Sequence, residues 1–149
     1  MNSFFAIIYN QVLQVSILAW FIAQFLKVVI VLVKEKRVDW ERFFGSGGMP
    51  SSHSAFVMAL ATSVGKKHGF DSTIFAVSLV FAFIVMYDAA GVRRAAGKQA
   101  EVLNRIIEDA KNHRPIGEEK LKELIGHTPF EVIIGALLGI LISLVYFNL

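Results

Sequence analysis

The sequence contains no cysteine, which excludes a disulfide framework, a thiolate nucleophile and a cysteine-based metal site. Charge is also scarce, because only 18% of the residues are charged, compared with roughly 25% in soluble domains. In contrast, 55% of the 149 residues are hydrophobic, and several apolar runs are long enough to span a bilayer. The composition therefore predicts an integral membrane protein.

The small net charge of +3 is not arranged as a nucleic-acid surface, since no basic patch interleaved with aromatic residues lies outside the loops that flank the membrane. We therefore expect no nucleic-acid partner. No lysine or arginine precedes the first apolar run, and that run is longer than the roughly 7–15 residues of a signal-peptide core. We expect the first run to be a retained helix that begins with a short interfacial piece or tilts in the bilayer.

The chain is predicted to fold as one all-α domain over 1–149, because backbone polar groups in lipid must be satisfied within each segment. Its polar segment, 89–128, has helical signals around 99–112 and 118–125, with a break at Arg114-Pro115. The predicted bundle has about four transmembrane helices, at 4–33, 52–68, 70–88 and 129–147.

Most lysine and arginine residues lie in two segments, 34–51 and 89–128. The turn between the second and third spans holds only Lys66 and Lys67. Positive loops stay inside, so both long polar segments are predicted to face the cytoplasm from the plasma membrane. The second and fourth spans then begin on the same face of the membrane.

Each of these two spans begins with a histidine among small, hydroxyl and proline residues. Residues 47–55 read GGMPSSHSA and residues 126–131 read GHTPFE. Helix N-termini attract anions, so two such ends on one face could hold a phosphate between them. One histidine, His127, could attack phosphorus, while the other, His53, protonates the leaving oxygen.

His127 and Glu131 are four residues apart and share a helix face if the helix has begun. A carboxylate on one imidazole nitrogen fixes the tautomer and leaves the other nitrogen available for attack. The alternative is that Glu131 only caps the helix, because Thr128 and Glu131 form a capping box around Pro129.

Cationic residues offer candidates for holding the phosphate, each with a simpler alternative. Lys27 lies within the first span, where a charge costs roughly 2.5–3.5 kcal/mol at the bilayer centre, but it could instead extend to the cytoplasmic interface. Arg93 and Arg94 follow the third span and carry guanidinium groups that suit phosphate. They could equally be ordinary positive-inside charges. Asp88 is expected to pair with one of the arginines or to position the loop.

The small-xxx-small pattern at Gly135 and Gly139 suits close helix packing, either within the chain or across a homodimer. His68 and His113 are predicted to lie in loops and to be solvated.

These motifs resemble a known superfamily. Pro50-Ser51-Ser52-His53 is similar to the Pro-Ser-Gly-His box of the type 2 phosphatidic acid phosphatase and vanadium haloperoxidase superfamily, and the spacing of His127 and Glu131 resembles its His-x-x-x-Asp box. The strings GGMPSSHSA, YDAAGVRRAAG and GHTPFEV resemble a short, divergent bacterial and plant branch of it.

The resemblance implies a phosphatase without a cofactor, in which His127 forms a phosphohistidine, Glu131 orients it and His53 is the general acid. The implied substrate is a membrane lipid phosphate of the phosphatidylglycerol phosphate, phosphatidic acid or polyprenyl phosphate type. The remaining predicted site residues come from their positions in this sequence and not from the resemblance: the phosphate-binding candidates Ser51, Ser52, Arg93, Arg94 and Lys27, with Asp88 and Gly126 in support.

The sequence departs from the superfamily pattern at three places. Ser52 replaces the glycine of the first box, and Glu131 is one methylene longer than aspartate. The superfamily's Lys-x6-Arg-Pro box is missing ahead of His53, so the phosphate clamp is lost or rebuilt. A non-catalytic membrane protein that binds anionic lipid or a partner protein is therefore the alternative. A channel or transporter is disfavoured because the spans carry no charge apart from Lys27, and vanadate-dependent halide oxidation is disfavoured because the clamp is absent.

Overall fold

A computed structural model describes residues 3–36, 48–111 and 126–148 of the protein. The described residues are helical, without a strand, and the prediction of an all-α integral membrane bundle is confirmed. Arg114-Pro115, the helical signal at 118–125 and His113 lie outside the described residues. The described part of the chain forms six helices: α1 (Ser3–Ile8), α2 (Gln11–Glu35), α3 (Ser52–His68), α4 (Thr73–Ala90), α5 (Val92–Lys111) and α6 (Pro129–Asn148).

Within the described residues, three stretches are long and apolar enough to cross a membrane, whereas the sequence predicts about four spans. They are Gln11–Val33, Thr73–Glu108, which continues from α4 into α5, and Pro129–Asn148. The remaining predicted span, α3, has 17 residues and is rich in alanine and serine. Its sequence is less apolar because α3 packs against α2, α4 and α6 rather than facing lipid along most of its length.

The first apolar run is divided into two helices instead of the single span predicted over 4–33. The short α1 ends at Ile8, and Asn10 caps α2, since its side-chain oxygen accepts a hydrogen bond from the Leu13 N–H at 3.2 Å. The long helix therefore begins at Gln11. The short helix α1 corresponds to the interfacial piece that the length of the first apolar run predicts.

The contact between α3 and α6 is the closest in the bundle and uses the two glycines of the small-xxx-small pattern. A Cβ atom on Gly135 would overlap the carbonyl oxygen of Ser51, and one on Gly139 would overlap that of Ala55. Both glycines therefore serve packing within the chain, which answers the question that their pattern left open. One helical turn further on, Ser63 and Ser143 form a buried hydrogen bond of 2.8 Å between their hydroxyl groups.

Candidate functional site

The N-terminus of α3 forms one side of the site. Ser51 is the N-cap, and its hydroxyl oxygen accepts hydrogen bonds from the N–H and the hydroxyl of Ser54, at 3.3 and 2.9 Å. The backbone N–H of Ser51 donates to the carbonyl oxygen of Glu131 at 3.1 Å. This bond ties the start of α3 to the first turn of α6.

The start of α6 forms the other side. Gly126 has a φ of 106°, a left-handed conformation that glycine adopts without strain. The backbone N–H of the next residue, His127, donates to the carbonyl oxygen of Ala89 at 2.9 Å. The end of α4 therefore holds the backbone of His127 in place, an anchor that no motif in the sequence indicates.

The two histidines lie next to each other across these helix starts. Their ring centroids are 6.3 Å apart, with an angle of 62° between the ring planes. His127 is 1% exposed, whereas His53, in the first turn of α3, is half-buried. Two groups at this separation can both reach a single phosphoryl group, because each needs an approach of only about 3 Å.

Glu131 caps the start of α6, and its carboxylate also lies close to His127. The Thr128 N–H donates to Glu131 Oε2 at 2.9 Å, and the Glu131 N–H donates to Thr128 Oγ1 at 3.3 Å, which completes a capping box. The same Oε2 lies 3.4 Å from Nδ1 of His127. Nδ1 and Nε2 of His127 are both buried, and neither has a hydrogen-bond partner among the described residues.

Lys27 reaches the same site from α2. Its side chain is only 2% exposed, and Nζ donates to the hydroxyl oxygen of Ser52 at 3.2 Å. Lys27 therefore lies inside the bundle. The simpler alternative, in which its side chain extends to the interface, is wrong. Gln24, one turn earlier on the same helix, is also buried.

The surroundings of His127 favour its neutral imidazole. The pKa of His127 is lowered below its ordinary value of 6.5, first because the ring is buried and then because Lys27 is close. Glu131 opposes this by favouring the imidazolium, and His53 adds a smaller lowering effect. Two helix N-termini and a buried ammonium thus place positive potential at one point.

Comparison with known proteins agrees with these motifs. The model of the Divergent PAP2 family, where PAP2 denotes type 2 phosphatidic acid phosphatase, matches residues 8–142. The chain belongs to this family. It is also 48% identical over 141 residues to the uncharacterized membrane protein YuiD of Bacillus subtilis (strain 168), an alignment that covers 87% of this chain and 89% of that protein. No solved structure matches the chain.

The remaining predicted site residues of this Divergent PAP2 protein occupy the end of α4 and the start of α5. Asp88 is half-buried and directly precedes Ala89. Arg93 and Arg94 lie in the first turn of α5, which begins at Val92. Their phosphate-binding role stays a prediction.

Proposed function

We propose that the protein is a phosphatase that hydrolyses a phosphomonoester of a membrane lipid through a phosphohistidine, without a metal ion. The observation that carries the proposal is the pair of imidazoles 6.3 Å apart beside a buried Lys27. Membership of a family named for type 2 phosphatidic acid phosphatase supports the same reaction class.

The phosphate would bind where the N-termini of α3 and α6 meet. Lys27 supplies a positive charge there, and the Ser52 hydroxyl, which accepts from Lys27, can donate its own proton to a phosphate oxygen. Ser51 holds the site together, because its N–H and hydroxyl oxygen already bond within the protein. We assign Arg93 and Arg94 as further phosphate ligands, with Asp88 and Gly126 as supporting residues.

In the first step, Nε2 of neutral His127 attacks phosphorus while Nδ1 faces Glu131, which stabilises the imidazolium as positive charge develops. The bond from phosphorus to the lipid oxygen breaks, and His53 gives that oxygen a proton, so the lipid leaves as an alcohol. In the second step, neutral His53 takes a proton from water. The resulting oxygen nucleophile breaks the P–N bond and releases inorganic phosphate.

The substrate class is a phosphorylated lipid, of the phosphatidylglycerol phosphate, phosphatidic acid or polyprenyl phosphate type. A site at the end of a membrane bundle lets the hydrocarbon remain in the bilayer while the phosphate reaches His127. Because the predicted positive-inside orientation places both helix starts on the cytoplasmic face, we propose that the enzyme acts at the cytoplasmic leaflet of the plasma membrane.

Phosphate release from these three types of lipid phosphate tests the proposal. Purified wild-type protein should release phosphate from at least one of them, and the His127→Ala variant should not. The matched control is His68→Ala, because His68 is an exposed histidine at the other end of α3. Absence of release by the wild type from every lipid would overturn the phosphatase and favour a non-catalytic protein that binds anionic lipid or a partner.

A further inference from the structure

Two apolar grooves lie on the two sides of α4; His53 lines one of them, and the other ends near the chain segment that carries His127. Helix α3 is central, α2 and α6 pack against each other, and α4 contacts α3 along its length. However, α4 touches α6 only weakly and hardly meets α2 in the described part of the chain. The two sides of α4 are therefore the places where the ring of helices around α3 is open.

The first groove, between α4 and α6, has a volume of about 560 Å³. Its wall from α6 starts at Pro129 and continues to Val132 and Ile133, and its wall from α4 ends at Ala90. These ends flank the hydrogen bond between His127 and Ala89. One end of the groove therefore lies within two residues in sequence of the buried backbone anchor of the proposed nucleophile.

The second groove, between α2 and α4, has a volume of about 250 Å³. His53 itself forms part of its wall, together with Phe56 and Val57 of α3, Trp20 of α2 and Val85 of α4. Trp20 lies seven residues before Lys27 on α2, which is about 10 Å along a helix. This groove therefore extends from the proposed acid into the apolar depth of the bundle.

We infer that the two grooves receive the two hydrocarbon chains of one phospholipid, whose phosphate lies at the histidine pair and whose chains straddle α4. This inference rests on the proposed function and narrows its substrate class to a phosphomonoester of a two-chain lipid. A polyprenyl phosphate or a lysolipid has one chain, which would fill only one groove. A lipid with one chain in each groove is held on both sides of α4, which fixes the phosphate against rotation.

The first test compares diacyl phosphatidic acid with lysophosphatidic acid and with a polyprenyl phosphate in mixed micelles. We expect the wild-type kcat/KM for the diacyl lipid to be at least tenfold higher. Ile133→Trp fills the first groove and Val85→Trp the second, so each should lower the diacyl value about tenfold and the lysolipid value by less than about threefold. Equal use of one-chain and two-chain lipids by the wild type would overturn the inference.

The matched controls are Val77→Trp on α4 and Val145→Trp on α6, which add the same bulk to exposed apolar positions outside both grooves. Both controls should keep the wild-type preference. If the groove variants behave like these controls, the grooves do not hold the substrate, although hydrolysis itself could still proceed through His127.

A binding measurement separates this inference from the proposed function. Phosphatidic acid with a photoreactive group in either chain, in phosphatidylcholine vesicles, should label the groove segments 83–90, 129–133 and 53–57 several-fold more than photoreactive phosphatidylcholine does. Such labelling without hydrolysis would refute the phosphatase and leave a two-chain anionic lipid site. Hydrolysis with even labelling of all exposed faces would keep the phosphatase and refute the grooves.

Discussion

Similar residues lie near the two ends of α3, some of them contributed by neighbouring segments, but their surroundings differ. At its C-terminus, Lys66, Lys67 and His68 are all exposed, and Lys66 makes a 2.8 Å hydrogen bond to the side chain of Asn148. At its N-terminus, the corresponding lysine is Lys27, which is 2% exposed, and it lies with one buried and one half-buried histidine.

The difference shows that the candidate site is distinguished by the burial of its side chains and by their proximity to one another, and not by residue type. Exposed cations near a helix C-terminus interact favourably with its dipole and cost little. A buried ammonium near the N-terminus of a helix is unfavourable on both counts, and a bound phosphate would offset this cost. The N-terminal end of α3 therefore fits the anion site that we propose, and the C-terminal end does not.

The largest contrast between the ends should come from the histidines. Removal of the nucleophile in His127→Ala should lower kcat by on the order of 10⁴-fold or more, whereas His68→Ala should stay within about twofold of wild type. Acid quench during turnover of a ³²P-labelled lipid phosphate should trap label on wild-type protein as an acid-labile phosphohistidine. Label that persists in His127→Ala would show that another residue is the nucleophile.

His53→Ala should have the next largest effect, a loss of roughly 10²–10³-fold, which is the range for a general acid. The test that separates an acid from a structural residue is the leaving group. A substrate that releases a p-nitrophenolate needs no proton, so the variant should recover most of its rate on it. An equal loss on both substrates would mean that His53 positions the site rather than protonates the lipid.

The proximity of the two histidines could be predicted from the sequence, because each lies at the start of an apolar run and the intervening segments place both starts on one face. The burial of Lys27 could not be predicted, since its sequence distance from Lys34 allows either burial or extension to the interface. Only the rotation of α2 about its axis, set by packing against α3, decides between them. The break at Asn10 and the two grooves likewise depend on how neighbouring helices pack.

Substitution of Lys27 should lower activity by roughly 10²-fold, the usual cost of losing one charged or polar donor to a developing anion. Lys66→Met at the exposed end of α3 should have little effect.

The pH dependence of kcat/KM gives a sharper test. His127 acts in its neutral form, so kcat/KM falls as the pH drops through its pKa, which lies below 6.5. Because Lys27 lowers that pKa, Lys27→Met should move the acid limb to higher pH.

Glu131→Gln should change the pKa of His127 in the opposite direction to Lys27→Met. Glutamine can still form the capping box but lacks the charge that favours the imidazolium. Its acid limb should move to lower pH. Shifts of the two variants in the same direction would contradict the assignment of the acid limb to His127.

The smallest effect that we predict concerns the spacing between α3 and α6. An added methyl group in Gly135→Ala meets the Ser51 carbonyl oxygen, so the two helix starts must move apart, at a cost of about 1–3 kcal/mol in stability. Gly139→Ala meets Ala55 one turn further from the histidines and should cost similar stability. Because only the first change displaces the N-cap that bonds to Glu131, kcat should fall about tenfold in Gly135→Ala and by less than about threefold in Gly139→Ala. Thermal unfolding in detergent measures the shared stability loss, and equal kcat values for the two variants would show that the position of Ser51 does not set the geometry of the histidine pair.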